Sequence, residues 1–130
     1  MKKSVIAIVI MLALSLCLSA CGKKANPIVL PQASEITSIE IGGGVQDIIC
    51  TNKEQIESFV QKVSEATPTS KKSVQDVPTV EEYIRIDFVT NGNIASVFIY
   101  QEGSNWYIEQ PYQGIYETDE TILTLLENEC

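Results

Sequence analysis

Catalysis near neutral pH calls most often on histidine, and this 130-residue sequence contains none. The commonest general base and a frequent metal ligand are therefore missing. What is left for chemistry is four cysteines, 17 acidic residues and a set of aromatics rich in tyrosine. No serine sits in a nucleophile-elbow pattern. Glu81 and Glu82 are adjacent, so on a strand they point to opposite faces and make a poor acid–base pair. Asp76, Glu81 and Asp87 could gather round calcium, but their spacing fits no calcium loop. Gly42-Gly43-Gly44 lacks the lysine and the serine or threonine of a phosphate-binding loop. We expect no enzyme, no metal and no cofactor. The cysteine in the most defined setting is Cys21, which follows Leu18-Ser19-Ala20 at the end of an apolar run.

Lys2 and Lys3 precede that run, which extends from Val5 to Leu16 and is broken only by Ser15. A basic start, an apolar stretch and small residues before a cleavage point make a secretory signal. The run is shorter than the roughly 20 residues that a spanning helix needs. Leu18-Ser19-Ala20-Cys21 resembles a bacterial lipobox. The resemblance implies cleavage between Ala20 and Cys21, lipid on the Cys21 thiol, and a protein lipid-anchored to the cell membrane on its extracytoplasmic side. Two acyl chains hold stably where one holds marginally. Residues 22–34 carry Lys23, Lys24, Pro27 and Pro31 with no periodic pattern, and read as a flexible tether. The expected organisation is a lipoprotein signal peptide over 1–20, a lipidated tether over 21–34 and a single extracytoplasmic domain over 35–130.

All 17 acids lie in that last region, against five basic residues, which gives it a formal charge of −12. Such a field repels phosphate backbones and anionic lipid, so we expect no nucleic-acid partner and only the tether to seek membrane. It would draw a basic partner or cations. With Cys17 in the signal and Cys21 lipidated, Cys50 and Cys130 remain. In an oxidising compartment they either form a disulfide or stay as two thiols.

Ile36 to Ile41 alternates and reads as a strand with Ile36 out of step; a glycine turn leads to a second apolar segment ending at Cys50. Thr51 with Glu54, or Asn52 with Gln55, has capping-box spacing, and Ile56, Phe59, Val60 and Val63 form a helical stripe. Pro68 stops the helix. Residues 67–82 form a long irregular loop, either functional or a plain crossover. Three strands follow: Tyr83 to Val89, Ile94 to Tyr100 and Trp106 to Gln110. Asn91-Gly92 signals a type I′ hairpin between the first two. Residues 111–116 read as a bend away from the sheet. Thr118 or Asp119 caps a last helix carrying Ile122, Leu123, Leu125 and Leu126. The order β-β-α-β-β-β-α predicts a two-layer α+β domain, a mostly antiparallel five-stranded sheet with two helices on one face.

Tyrosine serves equally as an edge-of-core residue and as an interface anchor. If the domain binds, the expected surface is the wetter sheet face with the bend after it: Tyr83, Arg85, Tyr107, Glu109, Tyr112 and Tyr116. The runs Pro68-Thr69-Ser70-Lys71, Ser73-Val74-Gln75-Asp76-Val77-Pro78, Tyr83-Ile84-Arg85-Ile86-Asp87-Phe88 and Glu109-Gln110-Pro111-Tyr112-Gln113-Gly114-Ile115-Tyr116 together resemble the small lipoprotein domain of Gram-positive bacteria known as domain of unknown function 5301. The resemblance spans roughly Ile36 to Leu126 and implies a single lipoprotein domain; it carries over no functional residue. The expected function is a non-enzymatic binding module for a protein, peptide or envelope component. The alternative is a sensory or regulatory accessory of a membrane receptor or transporter.

Overall fold

Alternating apolar residues bury one face of a strand, and the alternating runs above all become strands. The computed structural model describes residues 22–43 and 47–128. Ile36–Gly42 (β1), Ile48–Cys50 (β2), Thr67–Pro68 (β3), Ile84–Thr90 (β4), Ile94–Glu102 (β5), Asn105–Gln110 (β6) and Gly114–Thr118 (β7) make one open sheet, ordered β2-β1-β4-β5-β6-β7-β3. Every pairing is antiparallel. Lys53–Ser64 (α1) and Thr121–Asn128 (α2) are the helices. The class is α+β, but the sheet has seven strands where five were expected.

Both additional strands have a physical reason to escape the sequence. Gln113 N–H donates to the Gln110 carbonyl at 3.0 Å across Pro111 and Tyr112, and Tyr112 has φ 61°. A turn with proline second and a left-handed residue third normally takes glycine or asparagine there. Tyr112 disguises that turn, so residues 111–116 do not bend away: β7 folds back on β6, with Ile108 opposite Tyr116. The two-residue β3 then pairs Thr67 with Glu117 and Pro68 with Tyr116. Proline is tolerated there because β3 is the edge. The turn at Asn91-Gly92 also departs from the expected type. Neither residue lies in the left-handed region, so the turn is not type I′. Thr90 closes it instead, its N–H and hydroxyl both donating to the Asn93 carbonyl.

The core lies between the sheet and the helices. Asn52 is the cap used on α1, its Oδ1 accepting from the Glu54 and Gln55 N–H groups at 3.0 and 3.3 Å. Ile56, Phe59 and Val63 of α1 and Ile122 and Leu126 of α2 join one cluster with Ile39, Ile41, Ile86, Phe88, Val97, Ile99, Ile108 and Tyr116. Each such side chain contributes about 1.5–3 kcal/mol when fully buried. Ile36 joins them although it is three residues from Ile39, because a register shift between Ile36 and Ser38 turns it inward. Lys62 Nζ meets Asp119 Oδ2 at 3.0 Å and ties α1 to the turn before α2. The Thr121 hydroxyl, and then Lys62, hold the Asp119 carboxyl down to about 2. Cys50 is buried and disulfide-bonded. Its Sγ lies 3.3 Å from Gln55 Oε1, a contact only, since a disulfide sulfur has no proton to donate. The expected partner Cys130 and the lipidation site Cys21 lie outside the described residues, as does the apolar run before Cys21. No described helix is long and apolar enough to cross a membrane.

The segment expected to be a flexible tether lies against the domain from Ala25 onward. Ala25 N–H donates to the Thr69 carbonyl at 2.9 Å. The Tyr116 hydroxyl donates to the Asn26 carbonyl at 2.6 Å, and Gln113 Nε2 to the Pro27 carbonyl at 3.1 Å. The Gln110 amide accepts from Val29 N–H at 2.8 Å and donates to its carbonyl at 2.6 Å. Ala25, Ile28 and Leu30 pack on the core. These bonds join residues about 40 to 90 positions apart, and no local pattern announces them. Gly114 allows the approach, because a Cβ there would stand 2.3 Å from the Ala25 Cβ. Gly114→Ala should therefore destabilise the protein by about 1–3 kcal/mol, the usual cost of overpacking. Urea unfolding checks this; an unchanged midpoint would mean the segment is not held against β7.

Candidate functional site

The outer face of the sheet comes from the alternates that do not enter the core. Register aligns Arg85, Phe98, Glu109 and Ile115 in one row across β4 to β7, and Tyr100 with Tyr107 in the next. Left open, that face would expose several aromatic rings. Residues 69–82 cross it instead, as a strap. Thr69 N–H and hydroxyl both donate to the Ile115 carbonyl, at 3.0 and 2.7 Å. Lys71 Nζ pairs with the Glu102 carboxylate and sits 4.4 Å from the Tyr107 ring centroid. The bond to Glu102, foremost, raises the Lys71 pKa. Val80 and Tyr83 pack on Tyr100, Tyr107 and Ile115, making a second, smaller apolar cluster.

At its centre the strap is held by a carboxylate. Glu109 is 6% exposed and Ser73 8%. Ser73 Oγ donates to Glu109 Oε1 at 2.7 Å, and the Tyr100 hydroxyl donates to Oε2 at 3.2 Å. Burial and then the Glu109 charge push the Tyr100 hydroxyl up, keeping it protonated as a donor. Ser73 Oγ in turn accepts from Tyr112 N–H at 3.3 Å. The Tyr112 hydroxyl reaches back to Asp76 Oδ1 at 2.9 Å, a bond that raises the tyrosine pKa. Two strap residues thus grip the one non-glycine residue, among those described, whose φ is left-handed.

Between strap and strands lies an open cleft of about 520 Å³, lined by Asp76 and Val77 of the strap, Arg85, Ser96 and Phe98 of the sheet, and Gln110, Pro111 and Tyr112 of the turn. Arg85 Nε donates to Asp87 Oδ1 at 3.0 Å, and the Ser96 hydroxyl donates to the same oxygen at 2.6 Å. Phe98 meets the Tyr83 ring edge-on, with centroids 5.3 Å apart. Tyr112 is 66% exposed and Val77 44%. The cleft therefore offers an exposed guanidinium that Asp87 holds through Nε, an exposed phenol bonded to the Asp76 carboxylate, and apolar walls, which suits an amphipathic chain.

Of the six residues expected to form a surface, Arg85 and Tyr112 line this cleft. Tyr83 is half-buried against Phe98. Tyr107 and Glu109 are buried under the strap, and Tyr116 is 0% exposed on the opposite, helix-packed face. The expectation of one wet face overlooked that the long loop would cover it, and β7 reverses the side on which Tyr116 stands. Asp76, Val77, Ser96 and Phe98 were not anticipated. The available signal was Val74, Val77 and Val80, apolar residues in a stretch without periodicity that must either bury themselves or meet something. Asp76, Glu81 and Asp87 do not converge: Asp76 bonds Tyr112 and Asp87 bonds Ser96 and Arg85. Among the described residues no acidic or cysteine cluster could hold a metal ion. Tyr107→Ala should cost about 3 kcal/mol, as for a large core residue, whereas Tyr112→Gly should stay within about 1 kcal/mol because it relieves the left-handed strain. Chemical denaturation of the two variants checks the contrast; equal losses would contradict the assignment of buried and exposed tyrosines.

Residues 24–117 match the model of the family DUF5301, described as "Domain of unknown function (DUF5300)". A solved NMR structure of a protein from Ruminococcus gnavus is similar at 34% identity and TM-score 0.65, over 75% of this chain and 99% of that one. No curated protein matches.

Proposed function

The chain belongs to the DUF5301 family, and from that premise we propose that it is a lipid-anchored binding module without chemistry of its own, displayed on the outer side of the cell membrane, which takes a peptide or an extended protein segment in the cleft beneath the strap. The observation that carries the reading is the meeting of Arg85, Tyr112 and Val77 at one open cleft, all exposed while their neighbours Tyr107 and Glu109 are sealed. Aromatic and arginine side chains dominate binding energy where they can be desolvated, and a cleft wall desolvates them. The anchor follows from the lipobox-like Leu18–Cys21, and the absence of histidine argues against catalysis. A tether that docks from Ala25 onward would hold the cleft within a few residues of the membrane, at a fixed orientation.

Crosslinking on intact cells tests this. A photo-crosslinker placed at Val77 should capture a specific partner. The double variant Arg85→Ala/Tyr112→Ala should reduce that capture at least tenfold while leaving the thermal midpoint within a few degrees. Capture that is unchanged by the double variant would remove the cleft from the account.

A further inference from the structure

A second cleft opens at the other end of β5, away from Arg85 and Tyr112. It holds about 670 Å³ and is lined by Glu81, Glu82, Tyr83, Tyr100, Gln101 and Trp106, together with Gly43, Ile84 and Ile99. It exists because β5 outruns β4. Pairing of β4 with β5 begins at Ile84 opposite Ile99, whereas pairing of β5 with β6 continues to Glu102 opposite Asn105. Along Tyr100–Glu102, β5 therefore has a strand on one side only among the described residues. Such an edge offers unpaired N–H and carbonyl groups to an incoming extended chain.

The charge around this edge is one-sided. Glu81 and Glu82 are exposed and join none of the ion pairs among the described residues. Arg85, the nearest base in sequence, is engaged with Asp87 instead. Trp106, packed toward the helix-side core, and Tyr83, packed on Tyr100 of the other face, are both half-buried, so the cleft reaches round the end of the sheet with one ring on each side. Carboxylates beside aromatic rings attract an ammonium or guanidinium group. The protein already uses that arrangement once: Lys71 Nζ lies 4.4 Å from the Tyr107 ring centroid, with Glu102 as its counter-ion. At the second cleft the rings and the carboxylates are present and the cation is not supplied by the described residues.

We propose that this cleft receives a lysine or arginine side chain from an extended basic segment of a partner protein, its backbone lying along the exposed end of the β5 edge at Gln101–Glu102. The field of a domain with formal charge −12 brings such a segment in, and the aromatic walls with Glu81 and Glu82 hold its cation. The site does not depend on the strap cleft, and each can fail without the other.

Trp106 is the single tryptophan of the chain and so reports on the cleft directly. The full chain in detergent micelles is titrated with the blocked peptides Thr-Lys-Thr-Lys-Thr and Thr-Glu-Thr-Glu-Thr, following Trp106 fluorescence. The lysine peptide should give a saturable change and the glutamate peptide none. Glu81→Gln/Glu82→Gln, with near-UV circular dichroism matching the wild type, should weaken binding at least tenfold. Glu54→Gln/Glu57→Gln on α1 removes the same charge elsewhere and should leave the affinity within twofold, as should Arg85→Ala/Tyr112→Ala. No saturable response to the lysine peptide would overturn the proposal. So would equal weakening by the two glutamate pairs, which would mark diffuse attraction to an acidic surface.

Discussion

A carboxylate on the outer face of a sheet must keep water or find donors that replace it. Glu109 takes the second course. Its two oxygens are met by the hydroxyls of Ser73 and Tyr100, and the residue is almost fully enclosed. Leaving such a group without partners would cost several kcal/mol, while hydrogen bonds to a charged acceptor are each worth about 1.5–3 kcal/mol. The strap is therefore held in place by a group that would be costly to bury without it. The rest of the outer face depends on that bond. Ser73, fixed by Glu109, receives the Tyr112 N–H and so supports the left-handed turn between β6 and β7. That turn sets β7 in register, and β7 carries Tyr116 into the core and Gly114 under the N-terminal segment.

How much of this was legible depended on whether an element declares itself locally. Strands β1, β4, β5 and β6 were readable because Ile39 and Ile41, Ile86 and Phe88, Val97 and Ile99, and Trp106 and Ile108 repeat every second residue. Helix α1 was readable from its cap and stripe. β7 was not, because Tyr112 stands where the turn chemistry calls for glycine, and the rule that marks hairpins looks for glycine or asparagine. Asn91-Gly92 misled in the opposite sense: the residues of a type I′ turn are present, but Thr90 supplies a different closure. The docked segment from Ala25 to Leu30 is held by side-chain amides and a tyrosine hydroxyl far along the chain, and such pairings leave no trace in local periodicity.

The candidate surface was half legible for the same reason. Alternation placed Arg85, Tyr107 and Glu109 on one face, and the structure agrees. Alternation says nothing about what covers a face. The strap divides that face into a sealed part, where Tyr100, Tyr107 and Glu109 stabilise the fold, and an open margin, where Arg85 and Tyr112 remain available. The valines of the strap serve both ends, Val80 packing inward and Val77 facing the cleft. The same division explains why a domain so rich in tyrosine exposes few of them.

The central claim is that the Ser73–Glu109–Tyr100 bonds hold the strap over the sheet. Amide hydrogen exchange of the wild type and of Ser73→Ala/Glu109→Gln measures it directly, because local opening appears at the amides it frees. The expected result is exchange at least tenfold faster at the Thr69 and Lys71 N–H groups, which are hydrogen-bonded where the strap meets the sheet, with the amides of Ile86, Phe88, Val97 and Ile99 in β4 and β5 unchanged. Strap amides that exchange at the wild-type rate in that variant would contradict the account.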